Sequence, residues 1–477
     1  MPEQLATGRA RLEQLGPRRS RLLLAAGLIA CSLSVAAYLL IKYLVRQPSP
    51  AMDFDVFRQA GMVVRHVAPW YDPGLSSPLY YWPQSQWPFT YPPFAALVFT
   101  VLTVLPAAAM VKLWVIVSLV AMLVALWITF GGLGYRAGAR LGATLLIGAV
   151  TLWTEPVLQT LAMGQVELVL MALLMWDLCQ SDQHRWKGIG VGIAAGLKLV
   201  PLIFIPYFLL TRKFRQSAVA SATFAGTVLL GYIVQPADSR KFWLTGLFFQ
   251  GKRAGFPGAV QNQALDGVLT RFAGSMDAGH SLWLPVAILI GLAGLIVAAQ
   301  LHRAGHEVVG VLTCALAGLL VSPISWDDHW TWIAPALGVL AVYAWRARGR
   351  LRWTYAGVAT AILVLFAAWP HTVQRLVALA LWGKAPPSAG IYFGAIYAVP
   401  SQDSDLAAYA RLGDQRWYPE YHWHGLQVVF GKLYVLVGVV LLGLLAAAAV
   451  TSARSARHEA TRQVSSTVSR RSDRYAM

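Results

Sequence analysis

The chain has 477 residues, 57% of them hydrophobic and only 13% charged, with a mean hydropathy of +0.55. A soluble domain carries about 25% charged residues, so a soluble globular protein is excluded, and apolar runs long enough to span a bilayer predict an all-α polytopic integral membrane protein. The net charge of +18 does not point to nucleic acid. The basic residues gather at the chain ends and in short loops (Arg18, Arg19 and Arg21; Arg212, Lys213 and Arg215; Arg346, Arg348, Arg350 and Arg352), as cytoplasmic segments next to membrane lipids require.

Residues 1–20 are polar and basic and read as a cytoplasmic tail. The apolar run 22–45 is longer than the roughly 7 to 15 residues of a signal-peptide core, so it reads as an uncleaved first span. Residues 46–92 then form an outer loop. It opens with Asp53-Phe54-Asp55-Val56-Phe57 and closes with Phe89-Thr90-Tyr91-Pro92-Pro93. In between lie Trp70, Tyr71, Tyr80, Tyr81, Trp82 and Trp87, stiffened by Pro69, Pro73, Pro78, Pro83 and Pro88. Aromatic rings with a wet end suit the membrane interface and make sugar platforms, so this loop is expected to roof an active site. Asp53 or Asp55 would be its general base, taking a proton from a sugar hydroxyl. Residues two apart face differently on a helix, so only one of them should face the cavity. A solvated helix-end carboxylate is the plainer alternative for either.

The run 94–131, interrupted by Pro106, reads as two helices, and charge bookkeeping makes one of the early segments partial. After 141–153 comes a loop with Glu155 and Pro156, then a span from about 165 that opens on Gly164-Gln165-Val166-Glu167. Basic clusters flank 188–210 on both sides, so that stretch should enter and leave on one face as a broken pair, with its break at Lys198–Pro201. Lys198 would then meet an anion such as a lipid phosphate, or else snorkel to the interface. A second outer loop, 236–281, holds Asn262, the only asparagine in the chain, with Gln263 and Arg271. Arg271 could pair a phosphate bidentately. Spans are expected at about 282–301, 307–324, 330–345 and 353–369. Between two of them, Ser322-Pro323-Ile324-Ser325-Trp326-Asp327-Asp328-His329-Trp330 forms a polar cluster. It reads either as a binding site centred on His329 or as an interfacial belt. Residues 370–432, with His422 and His424, form a third outer segment, followed by a last span at about 433–450 and a basic cytoplasmic tail over 452–477. The membrane domain is thus 21–451, with about eleven or twelve crossings.

Cys31, Cys179 and Cys314 lie in apolar runs at spacings that fit no metal motif. Walker, dinucleotide and His-Glu-x-x-His motifs are missing, so neither metal nor cofactor is expected, and any sugar donor should be lipid-linked.

Taken together, these pieces resemble glycosyltransferase family 87, polytopic enzymes of the GT-C fold, over about residues 22–345. The resemblance is carried by Asp53–Phe57, by Tyr91-Pro92-Pro93 and by Gly164-Gln165. It continues through Ala195-Gly196-Leu197-Lys198-x-x-Pro201, Asn262-Gln263-x-Leu265-x-Gly267 with Arg271, and Ser322-Pro323-x-Ser325-Trp326-x-x-His329. Two positions depart from the family's pattern: Glu167, where asparagine is expected, and Ala264, where serine is common. The resemblance implies an inverting transfer of mannose, or in some members arabinofuranose, from a polyprenyl monophosphate to a glycolipid or lipoglycan. The transfer would take place on the outer face of the plasma membrane, as in mycobacterial α-(1,2)-mannosyltransferases. It makes Asp53 the base and gives Lys198, Arg271 and His329 the donor phosphate and sugar, with Tyr91, Gln165, Glu167, Asn262, Gln263, Trp326 and Asp328 lining the cavity. A lipid-linked sugar flippase is the alternative of another class, but the paired broken helices of a transporter are not evident in the sequence.

Overall fold

Proline and glycine punctuate the apolar runs, and the helices begin and end at them. The computed structural model describes residues 16–45, 51–68, 74–81, 88–383, 394–399, 420, 423 and 425–451. Residues 1–15 of the N-terminal tail, the C-terminal tail 452–477, Trp70, Tyr71, Trp82, Trp87, Pro69, Pro73, Pro83, His422 and His424 lie outside them, whereas residues 17–20 already belong to the first helix. The described residues are helical, with no strand and only two isolated bridges, Thr154 with Ala367 and Asn262 with Trp326.

The helices in order are α1 (Pro17–Val45), α2 (Met52–Val64), α3 (Pro93–Phe99), α4 (Ala107–Gly132), α5 (Ala137–Thr151), α6 (Glu155–Met163), α7 (Glu167–Leu178), α8 (Ile189–Leu197) and α9 (Phe204–Leu210). Next come α10 (Phe214–Val234), α11 (Pro236–Leu244), α12 (Leu265–Ala273), α13 (Met276–Arg303), α14 (Glu307–Val321), α15 (Ile333–Arg346), α16 (Gly349–Phe366), α17 (His371–Trp382), α18 (Leu426–Phe430) and α19 (Leu433–Thr451). Proline stands in the first turn of α3, α6 and α11, where its missing amide is harmless and its fixed φ suits helix entry.

Among the described residues, five helices (α1, α4, α10, α13 and α19) are long and apolar enough to cross a membrane alone, and α6 with α7 makes a sixth only across a 115° bend. Much of the remaining apolar sequence forms short helices such as α5, α14 and the segment Val200–Leu210. Irregular backbone at such depth is tolerated where protein surrounds it. The break at Pro106 falls where expected: α3 and a 3-10 turn end at Thr103, and α4 starts at Ala107. Residues 46–92 are more than a loop. They contain α2, which buries Phe54, Phe57, Ala60, Gly61 and Val63 on one face.

The expected break at Lys198 is present. Lys198 is extended (φ −149°, ψ 133°) between α8 and a 3-10 turn, Val200–Ile203. The two ends of this segment lie side by side. Lys187 Nζ reaches Asp182 Oδ1 at 2.8 Å and Glu307 Oε1 at 3.6 Å, and Lys213 Nζ reaches the same two oxygens at 2.8 and 3.3 Å. The chain thus enters at Lys187 and returns to the same point at Lys213.

α1 packs on α5 through glycine. A Cβ on Gly27 would lie 2.4 Å from the Gly142 carbonyl oxygen, and one on Gly142 would lie 2.6 Å from the Leu23 backbone. Gly142→Leu should therefore push the helices apart and lower stability by about 1–3 kcal/mol. Thermal unfolding of the purified protein, together with loss of an engineered α1–α5 crosslink, would check this.

Candidate active site

Four irregular points of the backbone converge: the start of α2, the α6–α7 bend, the α8 break and a 3-10 segment, Asp327–Trp332. Gly164 makes the bend possible. Its φ of +73° is left-handed, and a Cβ there would sit 2.6 Å from the Phe54 Cβ. This close approach sets the first turn of α2 against Gln165. The entry to α2 is fixed as well, by the Ala51 amide donating to the Ala162 carbonyl at 3.1 Å.

Asp53 is part-buried and hydrogen-bonded to Gln165, whose Oε1 accepts from the Tyr91 hydroxyl at 3.1 Å. Burial pushes the Asp53 carboxyl up to about 6; the Lys198 ammonium and the Gln165 hydrogen bond oppose the rise, and Glu167 and Asp327 add to it. Asp55 is exposed on the other side of the helix, near Arg58.

Because the helix stops at Leu197, Lys198 points its ammonium into the convergence. It bonds Glu167 Oε1 and approaches His329 Nε2 at 2.9 Å, and it lies 5.4 Å from the Tyr91 ring centroid. Glu167 Oε1 and His329 Nε2 are 3.5 Å apart. Facing an ammonium, His329 Nε2 accepts, so the imidazole carries its proton on Nδ1. Asp328 is buried beside them, its carbonyl accepting from Thr160 Oγ1 at 3.0 Å and its Oδ2 without a partner.

A cleft with ≈ 490 Å³ of space, part of it open to solvent, runs from this cluster. Its polar end is Glu167, Lys198, His329 and Ser325; its walls are apolar, among them Leu170, Leu174, Pro201, Ile203, Phe204 and Leu319. A charged head joined to an apolar channel suits an amphiphile whose headgroup is an anion.

The aromatic roof is packed on itself. Tyr80 stacks on Phe242 at 5.6 Å and on Phe89 at 6.1 Å, with Arg253 5.3 Å over its face, and all three rings are buried. The Tyr80 hydroxyl donates to the Tyr91 carbonyl at 2.9 Å. Tyr80 and Phe89 thus support Tyr91, while Tyr81 is exposed.

The second-loop residues predicted as ligands are spent on backbone. Arg271 donates to the carbonyls of Gly258, Ala259, Asn262 and Gly431, at 2.7–3.3 Å. Asn262 holds the carbonyls of Pro257 and Pro323 and the Ser325 amide. Gln263 ties Val260, Gly431 and Tyr434 together. Trp326 pairs with Asn262 through its backbone and lies against Gly255. These residues fasten the 322–330 segment and the last span to the loop. The Arg271 hydrogen bonds are made by its two terminal nitrogens to these four carbonyls, and its Nε has no partner.

Sequence reasoning missed one group. Glu155, fully buried, accepts from Tyr434 Oη at 2.8 Å and hydrogen-bonds Asp327, which also accepts from Tyr397. A signal was present: an acid followed by proline amid apolar sequence marks a helix start in which the carboxylate is buried.

The model of glycosyltransferase family 87 matches residues 89–323. A polyprenol-phosphate-mannose-dependent alpha-(1-2)-phosphatidylinositol mannoside mannosyltransferase of Mycobacterium tuberculosis is 32% identical over 310 residues, covering 62% of this chain and 71% of its own. A polyprenol-phosphate-mannose-dependent alpha-(1-2)-phosphatidylinositol pentamannoside mannosyltransferase of Mycolicibacterium smegmatis is 34% identical over 253 residues, or 52% and 60% of the two chains. No solved structure matches the chain. The motifs that meet around Lys198, and a likeness that extends over most of such a relative, give one conclusion: the chain belongs to glycosyltransferase family 87.

Proposed function

We propose that this multi-pass membrane protein transfers mannose from a polyprenyl monophosphate to a phosphatidylinositol-mannoside type of glycolipid. Transfer occurs with inversion, forms an α-(1→2) bond and takes place on the outer face of the plasma membrane. The observation that carries this is the cleft: one lysine and one histidine at the head of an apolar channel, with a part-buried aspartate on the adjoining helix. The activities for which the relatives are named point the same way.

Asp53 takes the proton of the acceptor hydroxyl as its oxygen attacks the anomeric carbon. The bond from that carbon to the phosphate oxygen breaks, and its electron pair leaves with the lipid phosphate. Lys198 and His329 stabilise the growing charge on that phosphate. The prenyl chain lies along Leu170, Leu174, Ile203 and Phe204.

The test is a transfer assay with purified full-length protein, labelled polyprenyl-phosphate mannose and phosphatidylinositol mannosides, followed by linkage analysis. Product with an α-(1→2) mannose is expected. Transfer only from decaprenyl-phosphate arabinofuranose would replace the donor. Movement of the donor across vesicles without transfer would make the protein a flippase. Because Asp53 must be ionised to act, kcat should rise through about pH 6, fall about tenfold per unit below it and level off above.

A further inference from the structure

The charges at the cleft head do not balance for an incoming anion. Lys198 is the only cation among the described residues lining the cleft, and its ammonium is already held by the Glu167 carboxylate. The groups that face Glu167 are Lys198 from the α8 break, His329 and Asp328 from the 3-10 segment, Asp53 from α2, and Tyr91. One lysine therefore answers three carboxyl groups before any phosphate arrives. A phosphate on Lys198 would lie against the oxygen that now occupies that place, and like charges in a poorly hydrated site repel strongly.

We propose that Glu167 is an exchangeable counter-ion for Lys198: the donor phosphate takes its place, and Glu167 takes up a proton from solvent as it is displaced. This rests on the polyprenyl-phosphate donor proposed above. In the free protein Glu167 keeps the buried lysine paired. In the loaded protein it is neutral and can donate a hydrogen bond to the phosphate. When the lipid phosphate departs, the proton returns to solvent and the Lys198–Glu167 pair re-forms. Glu167 is thus a positioning residue for Lys198 in one state and a proton store in the other.

The sign of the pH effect follows. Beside phosphate Glu167 binds its proton more tightly than beside Lys198 alone. Between the two ionisations, donor binding should weaken as pH rises, by up to about tenfold per unit. Glu167→Gln keeps an acceptor for Lys198 but carries no charge. It should bind donor on the order of tenfold more tightly at pH 8 and show a flat profile.

The experiment uses the full chain in lipid nanodiscs. Polyprenyl-phosphate mannose is titrated calorimetrically without acceptor, in two buffers of different ionisation heat, over a pH series. KM and kcat with acceptor are measured alongside. The expected result is uptake of about one proton per donor in the wild type, none in Glu167→Gln, and a change that falls on KM rather than on the shape of the kcat profile. Glu167→Asp, which restores a carboxylate, should recover the proton uptake. The proposal is overturned if Glu167→Gln binds donor more weakly, or if it keeps the wild-type pH dependence of KM. Failure of the wild type to bind the lipid donor at any pH would overturn the donor assignment as well, which separates the two failures.

Discussion

Asp53→Asn is expected to lower transfer by about 10²–10⁴-fold, whereas Asp55→Asn should stay within a few-fold of wild type. The asymmetry comes from helix geometry. Both acids are in the first turn of α2, but Asp53 turns to Gln165 and the Lys198 cluster while Asp55 turns to solvent. Asparagine keeps the size of Asp53 and a hydrogen-bonding partner for Gln165, so folding should be little affected. Loss should appear in kcat, since the proposed base is removed while the neighbouring Glu167 is held by Lys198. The assay compares both variants at equal expression with saturating donor. Equal loss in both, or loss in Asp55→Asn alone, would remove Asp53 from the role.

Lys198→Met should lower kcat/KM by about 10²–10³-fold, because it removes the cation on which the leaving phosphate develops its charge. It should also destabilise the protein, by about 3–5 kcal/mol, because it leaves the largely buried Glu167 carboxylate without its partner. The two effects separate in the double variant Lys198→Met with Glu167→Gln. That protein loses both members of the ion pair and should recover most of the thermal stability, yet remain without activity. Recovery of activity along with stability would make Lys198 a structural lysine. Lys198→Arg is not a rescue in this site: the planar guanidinium is larger and would have to fit between Glu167, His329 and the Tyr91 ring.

Much of this was legible before any coordinates. A lysine four residues after Ala194 in an apolar run, followed by Pro201, announces a broken helix with a charge at its break. The Asp53–Phe57 motif and His329 were equally visible, because a polar side chain at a membrane boundary stands out against its neighbours. What stayed hidden depended on long-range pairing. Nothing in the spacing of Asn262, Gln263 and Arg271 says that their donors will be taken by carbonyls 257–260, 262, 323 and 431. Polar side chains in a loop fit a ligand and a backbone equally well until the partner backbone is in place. The pairing of Glu155 with Tyr434, 279 residues away, was out of reach for the same reason. Among the described residues five or six stretches reach span length, and the rest of the apolar sequence lies in shorter helices, because hydropathy registers apolar length and cannot place a helix break.

The paired lysines at the two ends of the α8–α9 segment set a rule for sequence change. Lys187 and Lys213 share Asp182 and Glu307, so the segment between them is pinned at both ends while Lys198 must reach the cleft from its middle. A segment so anchored cannot slip. One residue inserted or removed between Lys187 and Lys213 must either pull Lys198 away from Glu167 or open the clasp. Variation in length should therefore be nearly forbidden here, although the cost of closing a flexible loop grows only slowly with its length. The clasp acts as a ruler for the chain, and a comparison of indel tolerance along the gene would read that ruler directly.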